Sequence, residues 1–342
     1  MAGDGKLVRV AVAGATGYAG AGCVRLLLGH PNVQLAAVGS RTQAGRTHAA
    51  VYPGSNCDRV LVESINAADC DVVISALAPG DAARQAPAWL SQGAVVVDVS
   101  ADFRLKSADT FANWYGGPHP CPDLLSQAIL ALPELRPDEI PGASLLALPG
   151  CFSTAAILAC GPAATHHLIE PEVVVDGKTG VSGAGRSAAS AYLFTELNES
   201  VKPYAVTGHR HRPEMEQVLS ELSGGPFSVT FVPHLVPMTR GIQLTCYLRP
   251  QEGVTLEQLR SLYRDQYEGA PFVRLSEQPV PSKQTSYTNL CWLSLEQQGA
   301  HFVVSAVLDN LGRGASSQAI QVLNLRFGLD PRAGLGGDTQ WP

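Results

Sequence analysis

The chain lacks any run of 18 apolar residues, so no segment reads as a membrane-spanning helix. Its eight cysteines include no C-x-x-C pair and no zinc-finger Cys/His spacing, so no metal site is expected. It lacks positive charge: 24 Lys and Arg against 30 Asp and Glu leave a formal charge of -6. That balance argues against nucleic acid as a partner, which needs concentrated basic residues. No internal repeat is visible. The N-terminus, MAGDGKLVRVAVAG, enters a Val/Ala run without the apolar region of a signal peptide. With cysteines expected to be reduced, this points to a cytoplasmic location. An apolar fraction of 45% excludes wholesale disorder, and 34 Gly with 24 Pro fall short of a low-complexity chain. The 342 residues correspond to about two domains at roughly 150 residues each.

LVRVAVAG, VQLAAVGS, DVVISAL (71–77) and AVVVDVS (94–100) are short valine-rich runs, as strands buried on both faces require. The runs CVRLLLGH and Gln85–Gln92 read as helices between them, so the N-terminal part predicts βαβ units around a parallel sheet. After about residue 150, EVVVDGKTG, FSVTFVPHLV, GIQLTCYLRP and HFVVSAVLDN are longer and partly alternating, which predicts a mostly antiparallel or mixed sheet. SSQAIQVLNLRFGL reads as a last helix ending at Gly328, followed by a glycine-rich tail expected to fray.

Gly14-Ala-Thr-Gly17-Tyr-Ala-Gly20 follows the first strand and opens a helix, the context of a dinucleotide fingerprint, although the spacing is G-x-x-G-x-x-G. Glycines there permit a tight turn and close approach to a pyrophosphate, and the helix N-terminus offers N–H groups to it. NAD binders place an acidic residue at the end of the second strand; this chain has Ser40-Arg41-Thr42. An arginine would pair with a 2′-phosphate, so NADP(H) is the expected cofactor. A solvated loop arginine is the plainer alternative.

Cys151 stands apart from the other cysteines because Pro149-Gly150 precede it and a helix-like run follows. A sulfur at a helix N-terminus is favoured as thiolate and can attack an acyl carbon. A buried structural cysteine fits the local pattern nearly as well. Among nine histidines, His209 and His211 share the dense segment GHRHRPE with Arg210 and Arg212, ahead of an amphipathic helix (EMEQVLSEL). They are candidates for the base a nucleophile needs, or for a solvated basic turn.

GATGYAG, VVDVSADFRL, LALPGCFSTAAILACGP, GVSGAGR, GHRHRPEMEQ, VPHLVPMTRGI and VSAVLDNLGRGASSQAIQ occur in that order along nearly the whole chain. In these segments the sequence resembles the N-acetyl-gamma-glutamyl-phosphate reductase family. The resemblance implies an α/β fold: a Rossmann-like NADP-binding domain (1–149 plus 311–342) and a C-terminal α+β catalytic and dimerisation domain of the semialdehyde dehydrogenase type (150–310). It implies Cys151 as nucleophile and His209 as acid/base, with His211 a neighbour that shares or supports the role. It implies Gly14, Thr16, Gly17, Tyr18 and Gly20 on the cofactor phosphates, Ser40 and Arg41 on the 2′-phosphate, and Asn310 near the nicotinamide. Arg104, Arg186 and Arg240, with Lys178, are its candidates for holding the substrate's anionic groups. Family members often carry a histidine in an A-L-P-H-G loop where this chain reads Ala76-Leu77-Ala78-Pro79-Gly80.

The implied reaction is reduction of an acyl phosphate by NADPH through a Cys151 thioester, with release of inorganic phosphate and a semialdehyde, in a homodimer or homotetramer. Three alternatives stand beside it. Aspartate-semialdehyde dehydrogenase shares the chemistry but flanks its cysteine differently. A lysine-pathway homologue would take a longer or carrier-bound substrate. A silent NADP-binding sensor would be expected to lose Cys151 or the histidine pair.

Overall fold

The valine-rich runs of the N-terminal part become strands whose residues face helices on both sides; all four residues of VVIS and of VVVD are buried. The computed structural model describes residues 7–336. Among these, residues 7–149 with 315–336 form one compact unit and residues 150–314 another. The resemblance implies residue 311, and not 315, for the return to the first unit.

The first unit holds seven strands: β1 (Val8–Ala13), β2 (Val33–Gly39), β3 (Leu61–Val62), β4 (Val72–Ser75), β5 (Val95–Asp98), β6 (Ile129–Leu130) and β7 (Leu145–Ala147). They lie in the order β3-β2-β1-β4-β5-β7-β6, and every pairing is parallel. The chain runs outward from β1 to β3, then returns to β4, so the order reverses between β1 and β4. In such sheets ligands bind beyond the carboxyl ends of the strands at that point.

The helices of this unit are α1 (Tyr18–Leu28), α2 (His48–Val51), α3 (Asp81–Ser91) and α4 (Ala108–Tyr115). Two of them begin earlier than the sequence suggested. The first was expected from Cys23, but α1 starts at Tyr18 and carries Gly20 and Gly22 within it. Both glycines are packing requirements: a Cβ on Gly20 would strike the Gly14 carbonyl, and one on Gly22 the Ser316 side chain. The second was expected from Gln85, but α3 starts at Asp81 because Asp102, from a distant loop, accepts the Gly80 and Ala83 N–H groups at 2.7 and 2.9 Å.

The C-terminal helix Ser317–Arg326 packs on α1 and β5, with Ser317 through Asn324 buried. The tail does not fray at its start. Asn324 Nδ2 donates to the Pro331 and Ala333 carbonyls at 3.3 and 2.8 Å, and Gly334 lies against the His30 ring. The rest of that tail, 337–342, and residues 1–6 lie outside the described residues.

The second unit is built on a mixed sheet, as its longer runs predicted. Its strands are β8 (Ile169–Thr179), β9 (Lys202–Pro203), β10 (Ser228–Leu235), β11 (Ile242–Pro250), β12 (Val273–Ser276), β13 (Cys291–Gln298) and β14 (His301–Leu308), in the order β12-β13-β14-β11-β8-β10-β9. Pairs β8/β10 and β12/β13 are parallel and the others antiparallel. Its helices are α5 (Cys151–Thr165), α6 (Phe194–Leu197), α7 (His211–Ser223) and α8 (Leu256–Tyr267). α5 is apolar on every side and buried from Phe152 through Ala164, as expected of a helix inside a core. It packs on β8, β11 and β14 and is flanked by α7 and α8. All eight cysteines are free thiols. No helix among the described residues is long and apolar enough to cross a membrane.

Candidate active site

The first unit presents a glycine turn shaped by subtraction. Gly14 has φ +80°, and a Cβ there would run into the Ala76 carbonyl of the β4–α3 loop. Gly17 caps α1 with no side chain bonded to the helix end, so its first N–H groups meet no side-chain cap. The opposite side of the turn is held by groups the sequence reading left without a role. His48 Nε2 donates to the Ala15 carbonyl at 3.3 Å, and Tyr52 Oη donates to the Thr16 carbonyl at 2.9 Å. The Ala15 oxygen can only accept, so His48 carries its proton on Nε2; Nδ1 takes the Ser55 hydroxyl at 3.0 Å. Burial keeps the His48 pKa below the ordinary histidine value, consistent with that neutral form. The i, i+4 spacing of His48 and Tyr52 was the available signal.

Ser40 follows β2 directly, and its hydroxyl meets that of Thr16 at 2.7 Å. Arg41 beside it is largely exposed, its Nη2 3.8 Å from Asp81 Oδ2. Tyr18 is 40% exposed at the start of α1. Glycines that a side chain would displace, an uncapped helix end, paired hydroxyls and an open arginine fit a phosphorylated dinucleotide. Arg104 also belongs to this unit. It is buried and donates Nη2 to the Val99 carbonyl at 2.9 Å. Near it Asp98 is fully buried; burial, aided by the Asp102 charge, pushes its pKa up to about 6.

In the second unit Cys151 is the first residue of α5, half-buried after the extended Gly150. Its surroundings are organised by Glu214, a buried carboxylate in the first turn of α7. Glu214 Oε2 accepts the Gly150 N–H and the Ser153 hydroxyl, each at 2.8 Å. One side chain thus ties the start of α7 to the residue before Cys151. The His211 imidazole packs on Gly150, where a Cβ would collide with it.

His209 lies edge-on to Phe152, Tyr204 and Phe231, and its ring is 4.7 Å from that of His211. Its Nδ1 accepts the His211 backbone N–H at 3.1 Å, which places the proton of neutral His209 on Nε2. Burial among these rings, with Arg210 adding to it and Glu214 opposing, drives the His209 pKa down to about 4.

A second buried carboxylate, Asp309, gathers the following turn. It accepts from Arg240 Nε and Nη2, both at 3.0 Å, and from the Tyr287, Leu311 and Gly312 N–H groups. Its own carbonyl takes the Gly314 N–H at 2.9 Å. A Cβ on Gly314 would meet that of Cys151, so this turn reaches the cysteine. Arg240 also lies 4.2 Å over the Tyr287 ring, a cation–π contact. Asn310 spends both ends of its amide on the framework. Its Oδ1 accepts from Gly241 N–H at 2.8 Å, and its Nδ2 donates to Ser182 Oγ at 3.0 Å.

The second unit therefore brings Cys151, His209, His211, Arg240 and Asn310 into one neighbourhood. Arg186 is exposed beyond the turn Val181–Ala184. Lys178 does not join them. It alternates with Gly177 and Thr179 along β8 and pairs with Asp176 at 2.8 Å, on the face opposite α5. Glu214 and Asp309, the residues that hold the site, were not among the sequence candidates.

Comparison with known proteins agrees with this anatomy. Residues 9–143 match the family described as semialdehyde dehydrogenase, NAD binding domain, and residues 151–310 match semialdehyde dehydrogenase, dimerisation domain. The structure is similar to aspartate semialdehyde dehydrogenase II of Vibrio cholerae, with a TM-score of 0.73 at 18% identity over 94% of this chain and 99% of the other. It is also similar to the Candida albicans aspartate semialdehyde dehydrogenase with NADP, with a TM-score of 0.72 at 16% identity over 94% and 98%. Those likenesses establish the fold. In sequence the chain is 43% identical to the N-acetyl-gamma-glutamyl-phosphate reductase of Halorhodospira halophila over 97% of this chain and 98% of the other. It is 40% identical to that of Dehalococcoides mccartyi over 96% and 98%. With similarity running end to end through both units, the chain belongs to the N-acetyl-gamma-glutamyl-phosphate reductase family.

Proposed function

We propose that the protein reduces N-acetyl-L-glutamyl 5-phosphate to N-acetyl-L-glutamate 5-semialdehyde, releasing inorganic phosphate, with NADPH as reductant, in the cytoplasm as a step of arginine biosynthesis. The observation that carries the reading is Cys151 at the N-terminus of a buried helix in a chain alike over its full length to reductases of that name. Bound NADPH supplies a hydride; the remaining chemistry falls to the chain's own groups.

The α5 N-terminus favours the thiolate of Cys151, which attacks the acyl carbon and expels phosphate to leave a thioester. The resemblance gave the proton transfer to His209, with His211 beside it. The hydrogen bonds support the reverse order. His209 already has Nδ1 filled and its proton on Nε2, so it has no lone pair left for a thiol proton. His211, packed on Gly150, takes that proton, lends it to the oxygen of the hemithioacetal formed by hydride addition, and takes it back as that oxygen becomes the aldehyde carbonyl and the thiolate departs. His209 orients His211 by accepting its backbone N–H, and Glu214 fixes the Gly150 that His211 packs against. Arg240, with Arg104 and Arg186, is assigned to the substrate's carboxylate and phosphate. Because Asp309 neutralises much of the Arg240 charge, that residue fits an orienting contact better than an isolated anion trap.

The uncovered face of the second sheet supports assembly as a homodimer or homotetramer. There Val174 and Tyr247 are cross-strand partners, 46% and 39% exposed, and Val303 pairs with Tyr247. Light scattering on the purified chain tests this.

An assay of phosphate-dependent NADP reduction with N-acetylglutamate semialdehyde tests the activity. Turnover with the one-carbon-longer homologue in preference, or with aspartate semialdehyde, would replace the reading. Arg41→Ala is expected to raise KM for NADPH far more than for NADH. An equal rise for both would remove the preference for NADP.

A further inference from the structure

The loop after β2 and the start of α3 carry a charge arrangement that the glycine turn does not require. Asp81, the first residue of α3, takes Arg84 Nη1 on Oδ1 at 3.0 Å and stands 3.8 Å from Arg41 Nη2 through Oδ2. The carboxylate side chain is 25% exposed, whereas Arg41 and Arg84 are 74% and 62% exposed. Two open guanidiniums thus share one recessed carboxylate.

The arrangement is built rather than incidental. Asp102 fixes the entry to α3 through the Gly80 and Ala83 N–H groups. Gly80 has φ +86°, and a Cβ there would lie 3.2 Å from Arg84 Nη1, so Arg84 folds back over the start of its own helix. Arg41 arrives from the neighbouring loop, next to Ser40, whose hydroxyl meets Thr16 of the glycine turn. Thr16, Ser40, Arg41, Asp81 and Arg84 therefore follow one another along the carboxyl edge of β1, β2 and β4.

An ion pair this exposed contributes little in water and exchanges readily. A phosphate monoester brings nearly twice the charge and three acceptor oxygens, enough for two guanidiniums at once. A ribose hydroxyl brings neither and leaves both arginines on Asp81. We propose that Arg84 is a second guanidinium for the 2′-phosphate of NADP(H), acting with Arg41, and that Asp81 is the carboxylate this phosphate displaces. The carboxylate here stands at a helix start, bracketed by arginines, and not at the end of the second strand where an NAD binder keeps its acidic residue. The inference rests on the NADP reading given above.

Isothermal titration of the full chain with adenosine 2′,5′-bisphosphate and with 5′-AMP separates the two ideas, without any turnover. In the wild type the bisphosphate binds more tightly. In Arg41→Ala and in Arg84→Ala the affinity ratio of the two nucleotides falls about tenfold each, the worth of one charge-assisted contact. In Asp81→Asn it rises severalfold. A fall confined to Arg41→Ala would keep the NADP reading and overturn the role of Arg84. No rise in Asp81→Asn would overturn the displacement. Equal binding of the two nucleotides by the wild type would overturn the NADP reading, and this inference with it.

Discussion

Gly14 and Gly20 in the first unit and Glu214 and Asp309 in the second solve one problem by opposite means. Each set fixes backbone around a reactive or charged partner. The glycines do it by leaving out atoms, so that β1, α1 and the β4–α3 loop can close on one another. The carboxylates do it by collecting N–H, hydroxyl and guanidinium donors from segments far apart in sequence. The first solution tolerates no added atom; the second tolerates no lost acceptor.

The largest expected effect sharpens that contrast at the nucleophile. Cys151→Ser should lower turnover by roughly 10³-fold or more while NADPH binding, read by fluorescence, persists. Near-normal turnover would refute the nucleophile. Next comes Glu214→Ala, which leaves the Gly150 N–H and Ser153 hydroxyl without their acceptor, at about 1–3 kcal/mol for each buried donor. A clear fall in melting temperature is expected, with a smaller fall in Glu214→Gln, which retains an acceptor. Equal falls would show that the charge, and not the hydrogen bonds, matters.

Gly20→Ala adds one methyl against the Gly14 carbonyl and should cost about 1–3 kcal/mol of stability and weaken nucleotide binding. Alkylation of Cys151 by iodoacetamide should keep its rate; if that rate collapsed, the two units would not be separable in this way.

The smallest effect is one of pH. Burial lowers the folded-state pKa of His209 to about 4, so the unfolded chain binds a proton that the folded chain refuses. The stability tied to neutral His209 is complete above about pH 6.5, its ordinary value, and is lost as pH falls toward 4. His30 and His48, lowered by the same cause, act in the same direction. Asp98 in the first unit acts oppositely: with its pKa raised to about 6, it favours the folded state increasingly as pH falls through that value. His209→Gln should flatten the acid-side decline of the melting temperature, and Asp98→Asn should steepen it. The reverse pattern would mean that the two groups are not buried as described.

What could be read from sequence follows the same division. A glycine that must be a glycine is visible as itself, and so is a cysteine at the head of an apolar helix. Both β1 and the turn after it were therefore legible, as was α5. Glu214 was not, because a glutamate in the first turn of an amphipathic helix looks the same whether it faces water or a buried N–H. Asp309 hid in the same way, beside an asparagine that drew attention first. The expectations from sequence include no α8, although Thr255 and Gln258 form a capping box at its start. β13 was missed because CWLSLEQQ has none of the valine or isoleucine that marked the other long strands.

The helix Ser317–Arg326 has a consequence for how the molecule is made. It covers α1 and β5, elements finished more than two hundred residues earlier, and its buried face continues their core. A nascent chain therefore carries the dinucleotide-binding sheet with part of its apolar surface uncovered while residues 150–314 are synthesised. The second unit, contiguous in sequence, can complete its core first, and the earlier-born half waits for the last segment to arrive. Ribosome stalling or truncation before residue 317 would release a chain with that surface open to chaperones and to aggregation.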